Sequence, residues 1–223
     1  CIFSLEMENL KLSKRLLLSY GGIVRRNFER GTMTQGDWDA YNRADKELRH
    51  LPIFIDDTPA ITARHINSVV RNKARKGQCD LVIIDYLQLV ESPQSFGNKN
   101  REREVAEISR ELKKVAKAAG VPIILLAQLN RDLEHRPDKT PRLSDLRESG
   151  AIEQDADIVI FPWRPTFYDP NAVDDQGNSL VDTMLFEVAK NRDGNTARIP
   201  SKHNSDLTQF FDYNTKQFEE PIF

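Results

Sequence analysis

Short runs of apolar, β-branched residues alternate along this chain with longer amphipathic stretches. That alternation restricts the fold to parallel strands joined by crossover helices. The strand candidates are residues 1–5, 53–56, 81–85, 122–127, 157–161 and 181–189, and the helix candidates are 9–19, 35–49, 62–76 and 103–119. In the last helix Val105, Ile108, Leu112, Val115 and Ala119 recur at helical spacing, while Glu104, Arg110, Lys113 and Lys117 occupy other faces, so one side is expected to pack and the other to be wet. Gly120-Val121-Pro122 ends it, and the apolar stretch from Ile123 to Ala127 follows as a buried strand. Beyond Val181 the texture is strand-rich, with 198–200 and 207–211 as further candidates, which predicts an antiparallel extension of the sheet. Residues 91–100, 130–142 and 165–179 have loop composition.

At 223 residues with 39% hydrophobic content, the chain can fill one core, and a single domain over 1–223 is expected. Its 32 Lys+Arg against 34 Asp+Glu leave a formal charge of −2, which excludes a broadly basic tail-like nucleic-acid binder. Any contact with DNA must therefore be local. No apolar stretch approaches the roughly 18 residues that span a bilayer, and no basic-then-apolar leader opens the chain. A soluble, cytoplasmic protein is expected. Two cysteines, Cys1 and Cys79, make no zinc site between them and read as small buried thiols. The chain starts inside an apolar run, which suggests a piece cut from a longer protein.

Three strand candidates end in a polar group. Leu81-Val82-Ile83-Ile84-Asp85 delivers a carboxylate at the carboxyl end of a buried strand, where open α/β sheets bind ligands. An aspartate so placed holds the Mg²⁺ water shell in nucleotide-hydrolysing P-loop proteins; alternatively Asp85 caps the next turn. Ser4-Leu5-Glu6-Met7 brings a second carboxylate, which can deprotonate an attacking water or simply favour the positive end of the following helix. Ile123-Ile124-Leu125-Leu126-Ala127 leads into Gln128, a neutral amide suited to sensing phosphate or to closing a strand-end hydrogen bond. The coincidence of Glu6, Asp85 and Gln128 argues for an active rim.

These strings also carry a resemblance. Phe3-Ser4-Leu5-Glu6-Met7, Ile83-Ile84-Asp85-Tyr86-Leu87-Gln88-Leu89, Leu126-Ala127-Gln128-Leu129-Asn130-Arg131, the long run from Arg142 through Leu146-Arg147-Glu148-Ser149-Gly150 to Asp157, and Ala189-Lys190-Asn191-Arg192-Asp193-Gly194 stand in the order of the DnaB-family replicative DNA helicases. The chain resembles their C-terminal RecA-like motor domain to about Gly194, and the run over 142–157 is the most specific part. The resemblance implies a RecA-like three-layer α/β fold with a mostly parallel central sheet and a C-terminal antiparallel extension. It implies ATP and Mg²⁺ as cofactors, Glu6 as the residue polarising water, Asp85 as the Walker B carboxylate on the metal, and Gln128 as γ-phosphate sensor. Arg15 matches an arginine near the nucleotide, and Lys190, Asn191 and Arg192 match a nucleotide-contacting segment whose lysine and arginine finger reach the neighbouring subunit's site. Arg147, Glu148 and Gly150 resemble a central-channel loop that grips single-stranded DNA by its backbone. Without the resemblance, Lys190 and Arg192 read as two surface cations at a turn.

The glycine-rich pattern G-x-x-x-x-G-K-[ST] occurs nowhere in the chain, and the resemblance puts it just before Cys1. Without that backbone cradle for the β- and γ-phosphates these residues alone are not expected to hydrolyse ATP. The family's primase-binding collar and linker helix are not recognisable either, so weak association is expected for the chain alone and a ring-shaped homo-hexamer, with primase and loader partners, for an intact protein. A lost strand would leave apolar sheet surface exposed. After Gly194 the sequence departs from the family pattern. The rival readings are another RecA-fold ATPase and a catalytically inactive interaction module, truncated or phage-borne.

Overall fold

The computed structural model describes residues 1–91 and 101–213, with the main chain alone at 147–149. The expected alternation is realised as β1 (Ile2–Ser4), α1 (Asn9–Tyr20), α2 (Arg25–Arg30), α3 (Gln35–Leu48), β2 (Ile55–Asp56), α4 (Ala63–Arg75), β3 (Val82–Asp85), α5 (Arg101–Ala119), β4 (Ile123–Leu125), α6 (Gly150–Asp155), β5 (Ile158–Trp163), β6 (Thr183–Asn191), β7 (Ala197–His203) and β8 (Phe210–Asp212). The short helices α2 and α6 lie in stretches with no long apolar periodicity, so the sequence pattern does not announce them. Of the loop expected over 91–100, residues 92–100 lie outside the described residues.

β1 to β4 form a parallel sheet in the order β2-β1-β3-β4, and β5 to β8 form an antiparallel meander in sequence order. The antiparallel strands thus make a four-stranded sheet of their own, with no ladder joining β5 to β4 among the described residues. Both are terminal strands of their sheets, and apolar residues stand exposed on or beside them: Ile124 and Leu126 at 51% and 43%, Ile158 and Ile160 at 55% and 50%. An unpaired apolar edge is a surface open to pairing with another strand. A small cluster of Leu146, Val159 and Phe161, joined by Ala127, Leu129 and Ala189, links the end of β4 to the second sheet.

The main core lies between the parallel sheet and the α4/α5 pair. Phe3, Val82 and Ile84 are fully buried against Ile66 and Val70 of α4 and Val105, Ile108, Leu112 and Val115 of α5. The expectation of buried thiols is met at Cys79 and not at Cys1, which is half-buried. Local chemistry sets where these helices begin and end. Thr34 and Asp37 close a reciprocal capping box on α3, and the Thr62 hydroxyl accepts the His65 N–H on α4. α5 stops at Gly120, whose φ of +67° suits the left-handed turn before Pro122. α1 has no cap of its own; its Asn9 N–H donates to Asp57 Oδ2 at 2.7 Å, a carboxylate arriving from the end of β2.

Next to Asp57, Asp56 is buried and accepts from the Thr58 N–H at 3.1 Å while sharing a 2.8 Å hydrogen bond with His65 Nε2 of α4. Burial opposes its charge, but the hydrogen bonds from Thr58 and His65 outweigh that and hold its carboxyl below the ordinary 3.8. A lowered folded value means the ionised group contributes stability above 3.8 that is lost as pH falls through the folded value. Asp56→Asn should cost about 1–3 kcal/mol at neutral pH. The deficit should shrink on the acid side of that window in urea-unfolding titrations; a deficit independent of pH would show that the carboxylate charge plays no part.

Candidate functional site

Register places the three polar strand ends side by side. Ser4 stands opposite Asp85, and Ile84 opposite Leu125, across parallel ladders of neighbouring strands. The Leu5 N–H donates to the Asp85 carbonyl at 2.8 Å, and the Leu87 N–H to the Leu126 carbonyl at 2.9 Å. Because all three strands run the same way, Glu6, Asp85 and Gln128 leave the sheet at its carboxyl edge, on strands spaced about 4.8 Å apart. Glu6 and Gln128 are exposed and Asp85 half-buried. Among the described residues no hydrogen bond or ion pair engages the side chain of any of the three.

The segments bearing these groups are held more firmly than the groups themselves. Ser4 is buried and its hydroxyl donates to the Met7 carbonyl at 2.7 Å, bending the chain where Glu6 emerges. Gln88, in a 3-10 turn after β3, clasps the Gln128 main chain: its Nε2 donates to the Gln128 carbonyl and its Oε1 accepts the Gln128 N–H, both at 3.2 Å. Sequence reasoning assigned Gln88 no task; its only signal is its place inside the string that follows Asp85. The clasp leaves the Gln128 side-chain amide unused. Asp85 is a single hard carboxylate near solvent, and Mg²⁺ is commonly held by one or two carboxylates together with phosphate oxygens and water. The donor set therefore fits a magnesium–nucleotide complex. Among the described residues no group of three metal-ligating side chains occurs.

From Gln128 the chain continues into a second braced region. The Asn130 N–H donates to the Asp145 carbonyl at 3.0 Å, and the buried Asp145 carboxylate takes both Nη groups of Arg136, at 3.0 and 2.9 Å, and the Arg142 N–H at 2.8 Å. A fork-to-carboxylate pair of this geometry fixes orientation as well as distance. It ties the exit of β4 to the 3-10 segment Leu143–Ser149, which carries Arg147 and Glu148 and leads into Gly150, the first residue of α6. The side chains of Arg147 and Glu148 lie outside the described residues.

Lys190, Asn191 and Arg192 form a separate cluster at the end of β6. Lys190 Nζ donates to the Glu153 carbonyl at 2.5 Å, and Arg192 donates through Nη1 to Asp157 Oδ1 at 3.0 Å and through Nη2 to the Gln154 carbonyl at 3.2 Å. The two cations thus meet the C-terminal end of α6 from one side, as alternate residues of a strand should. Asn191 faces the following turn instead. Its Nδ2 donates to the Asn195 carbonyl at 3.4 Å and lies over Gly194, where a Cβ would come within 2.6 Å and push the amide aside. Lys113, assigned to the wet face of α5, turns out to pair with Asp157. One helical turn earlier the Ser109 hydroxyl donates to Asp155 Oδ2 at 2.9 Å, so two α5 side chains grip the exit of α6. Arg15 is exposed on α1, and no contact ties it to the rim among the described residues.

The family model for the DnaB-like helicase C-terminal domain matches residues 1–212. The chain belongs to the DnaB-like helicase C-terminal domain family. The match runs beyond Gly194, through the stretch where the resemblance was expected to weaken. A probable replicative DNA helicase of Trieres chinensis is 41% identical over 95% of this chain and 46% of its own length. The replicative DNA helicase DnaB of Geobacillus stearothermophilus is 37% identical over 98% of this chain and 46% of its own. Among solved structures, a chain described as an ATPase domain superposes with a TM-score of 0.86 at 35% identity, covering 95% of this chain and 73% of that one. A DnaB-like replicative helicase, described with its interactions with primase, gives the same TM-score and identity over 95% of this chain and 49% of that one. The chain thus spans about half the length of these curated relatives. The RecA-like α/β class expected from the sequence is the class of these DnaB-type neighbours. No described helix is long and apolar enough to cross a membrane.

Proposed function

We propose that this chain is the motor portion of an ATP-driven replicative DNA helicase that works as a homo-hexamer, hydrolysing ATP between subunits and moving along single-stranded DNA. The observation that carries the reading is the meeting of Glu6, Asp85 and Gln128 at one sheet edge, in a chain whose relatives are replicative helicases. Glu6 accepts a proton from the attacking water. Asp85 would hold magnesium, which when bound would supply charge neutralisation on the phosphates. The Gln128 amide meets the γ-phosphate without adding charge. Arg192 and Lys190, with Asn191 shaping their turn, serve the nucleotide of the neighbouring subunit, and Arg15 lies toward the nucleotide on α1.

Arg147 and the main chain near Gly150 hold DNA phosphates, with Glu148 orienting Arg147. Six copies around a channel would concentrate positive charge although each chain is near neutral. Primase and a helicase loader are proposed as partners of the whole assembly, in the cytoplasm. The chemistry needs a backbone N–H cradle for the β- and γ-phosphates, which none of the 223 residues offers as G-x-x-x-x-G-K-[ST].

The test therefore supplies one, by fusing the chain behind a segment that carries the G-x-x-x-x-G-K-[ST] pattern and assembles as a hexamer. The hexameric fusion is expected to hydrolyse ATP with stimulation by single-stranded DNA. Arg147→Ala should weaken single-strand binding and reduce the slope of log affinity against log salt by roughly 0.7–1 per lost phosphate contact in each subunit. Unchanged affinity and slope would move the DNA grip elsewhere.

A further inference from the structure

We propose that Asp157 is a positioning residue for Arg192, fixing its guanidinium at a place set jointly by α5 and α6 so that its remaining N–H groups are presented to the neighbouring subunit. The inference rests on the reading of Arg192 as a group acting across the subunit boundary, and gives a role to Asp157, a residue to which the resemblance assigned none.

Asp157 holds Arg192 twice. Its carbonyl accepts the Arg192 N–H at 2.8 Å and its Oδ1 accepts Nη1 at 3.0 Å. Its other carboxylate oxygen takes Lys113 of α5, and the Lys113 ammonium keeps the Asp157 carboxyl below the usual range, so the anchor is charged at neutral pH. The Gln154 carbonyl, at the end of α6, accepts Nη2 at 3.2 Å. A guanidinium has five N–H donors; these contacts engage one on each Nη, and the Arg192 side chain stays 49% exposed. It is held and still available.

An exposed ion pair of this kind contributes little to stability, and Asp157 is itself 55% exposed. Its contribution is the aim of a long side chain that would otherwise sample many rotamers. Misplacing a group by about an ångström can cost up to about 10²-fold in rate, which sets the scale of the effect.

In the hexameric fusion, Asp157→Asn should lower kcat by about 10- to 100-fold with KM for ATP essentially unchanged and the melting temperature close to the parent's. The double variant with Arg192→Ala should turn over no more slowly than Arg192→Ala alone, because Asp157 acts only through Arg192. Lys113→Gln unties Asp157 from α5 while leaving the carboxylate in place and should produce a smaller loss of kcat of the same kind; it decides the matter if Asp157→Asn fails to fold. Unchanged or increased kcat in Asp157→Asn, or a loss additive with Arg192→Ala, overturns this inference while leaving the trans role of Arg192 intact. Unimpaired turnover by Arg192→Ala itself overturns that role, and this inference with it.

Discussion

Replacing Glu6 by Gln in the hexameric fusion is expected to cut DNA-stimulated ATP turnover by about 10²- to 10⁴-fold, the range general-base catalysis commonly supplies, while nucleotide binding survives. The substitution preserves size and one acceptor oxygen, and removes the charge and the group able to take a proton. The surroundings of Glu6 make it a clean experiment. The bend at its strand end is set by Ser4 and Met7, not by its own carboxylate, and no partner engages that carboxylate among the described residues. Little structural loss should accompany the chemical one. Stopped turnover with retained binding of a fluorescent ATP analogue would support the assignment, and unchanged turnover would reject it.

Arg192→Ala should produce a loss of comparable or greater size, about 10³- to 10⁵-fold for an arginine that stabilises phosphoryl-transfer charge. Because Arg192 is proposed to act across the subunit boundary, mixing decides the matter. Rings assembled from Arg192→Ala and Glu6→Gln subunits contain some interfaces with an intact Glu6 on one side and an intact Arg192 on the other, and those should recover measurable turnover. Within one subunit Arg192 bonds to Asp157 and Gln154, not to any of the three rim residues. Mixed rings as inactive as either parent would place its action within its own subunit.

The rim was legible in the sequence because a buried parallel strand advertises itself. Four apolar residues before Asp85 leave little choice about where that carboxylate emerges, and the same holds for the run before Gln128. Which strands stand side by side, and in what register, is seen only in the structure, where Ser4 lies opposite Asp85 and Ile84 opposite Leu125. The clasp of Gln88 on Gln128 was not legible, because a reciprocal amide-to-backbone pair joins residues 40 apart in sequence and has no local spacing. Nor were the tasks of Lys113 and Asp157. A lysine opposite the apolar stripe of α5 reads as solvated until the fold brings a carboxylate 44 residues distant beside it. Helix α6, six residues long, is too short for periodicity to show; Ile152 buries it in the main core, and side chains from α5 and β6 hold its last turn and the residues that follow.

That brevity matters mechanically. About 1.5 Å of rise per residue makes α6 some 9 Å long, too short to flex, with the Arg147 segment entering at one end and the Lys190/Arg192 clamp closing on the other. A rod so stubby has little length over which to bend: a displacement of the turn entering at Gly150 bears directly on the Glu153 and Gln154 carbonyls that Lys190 and Arg192 hold.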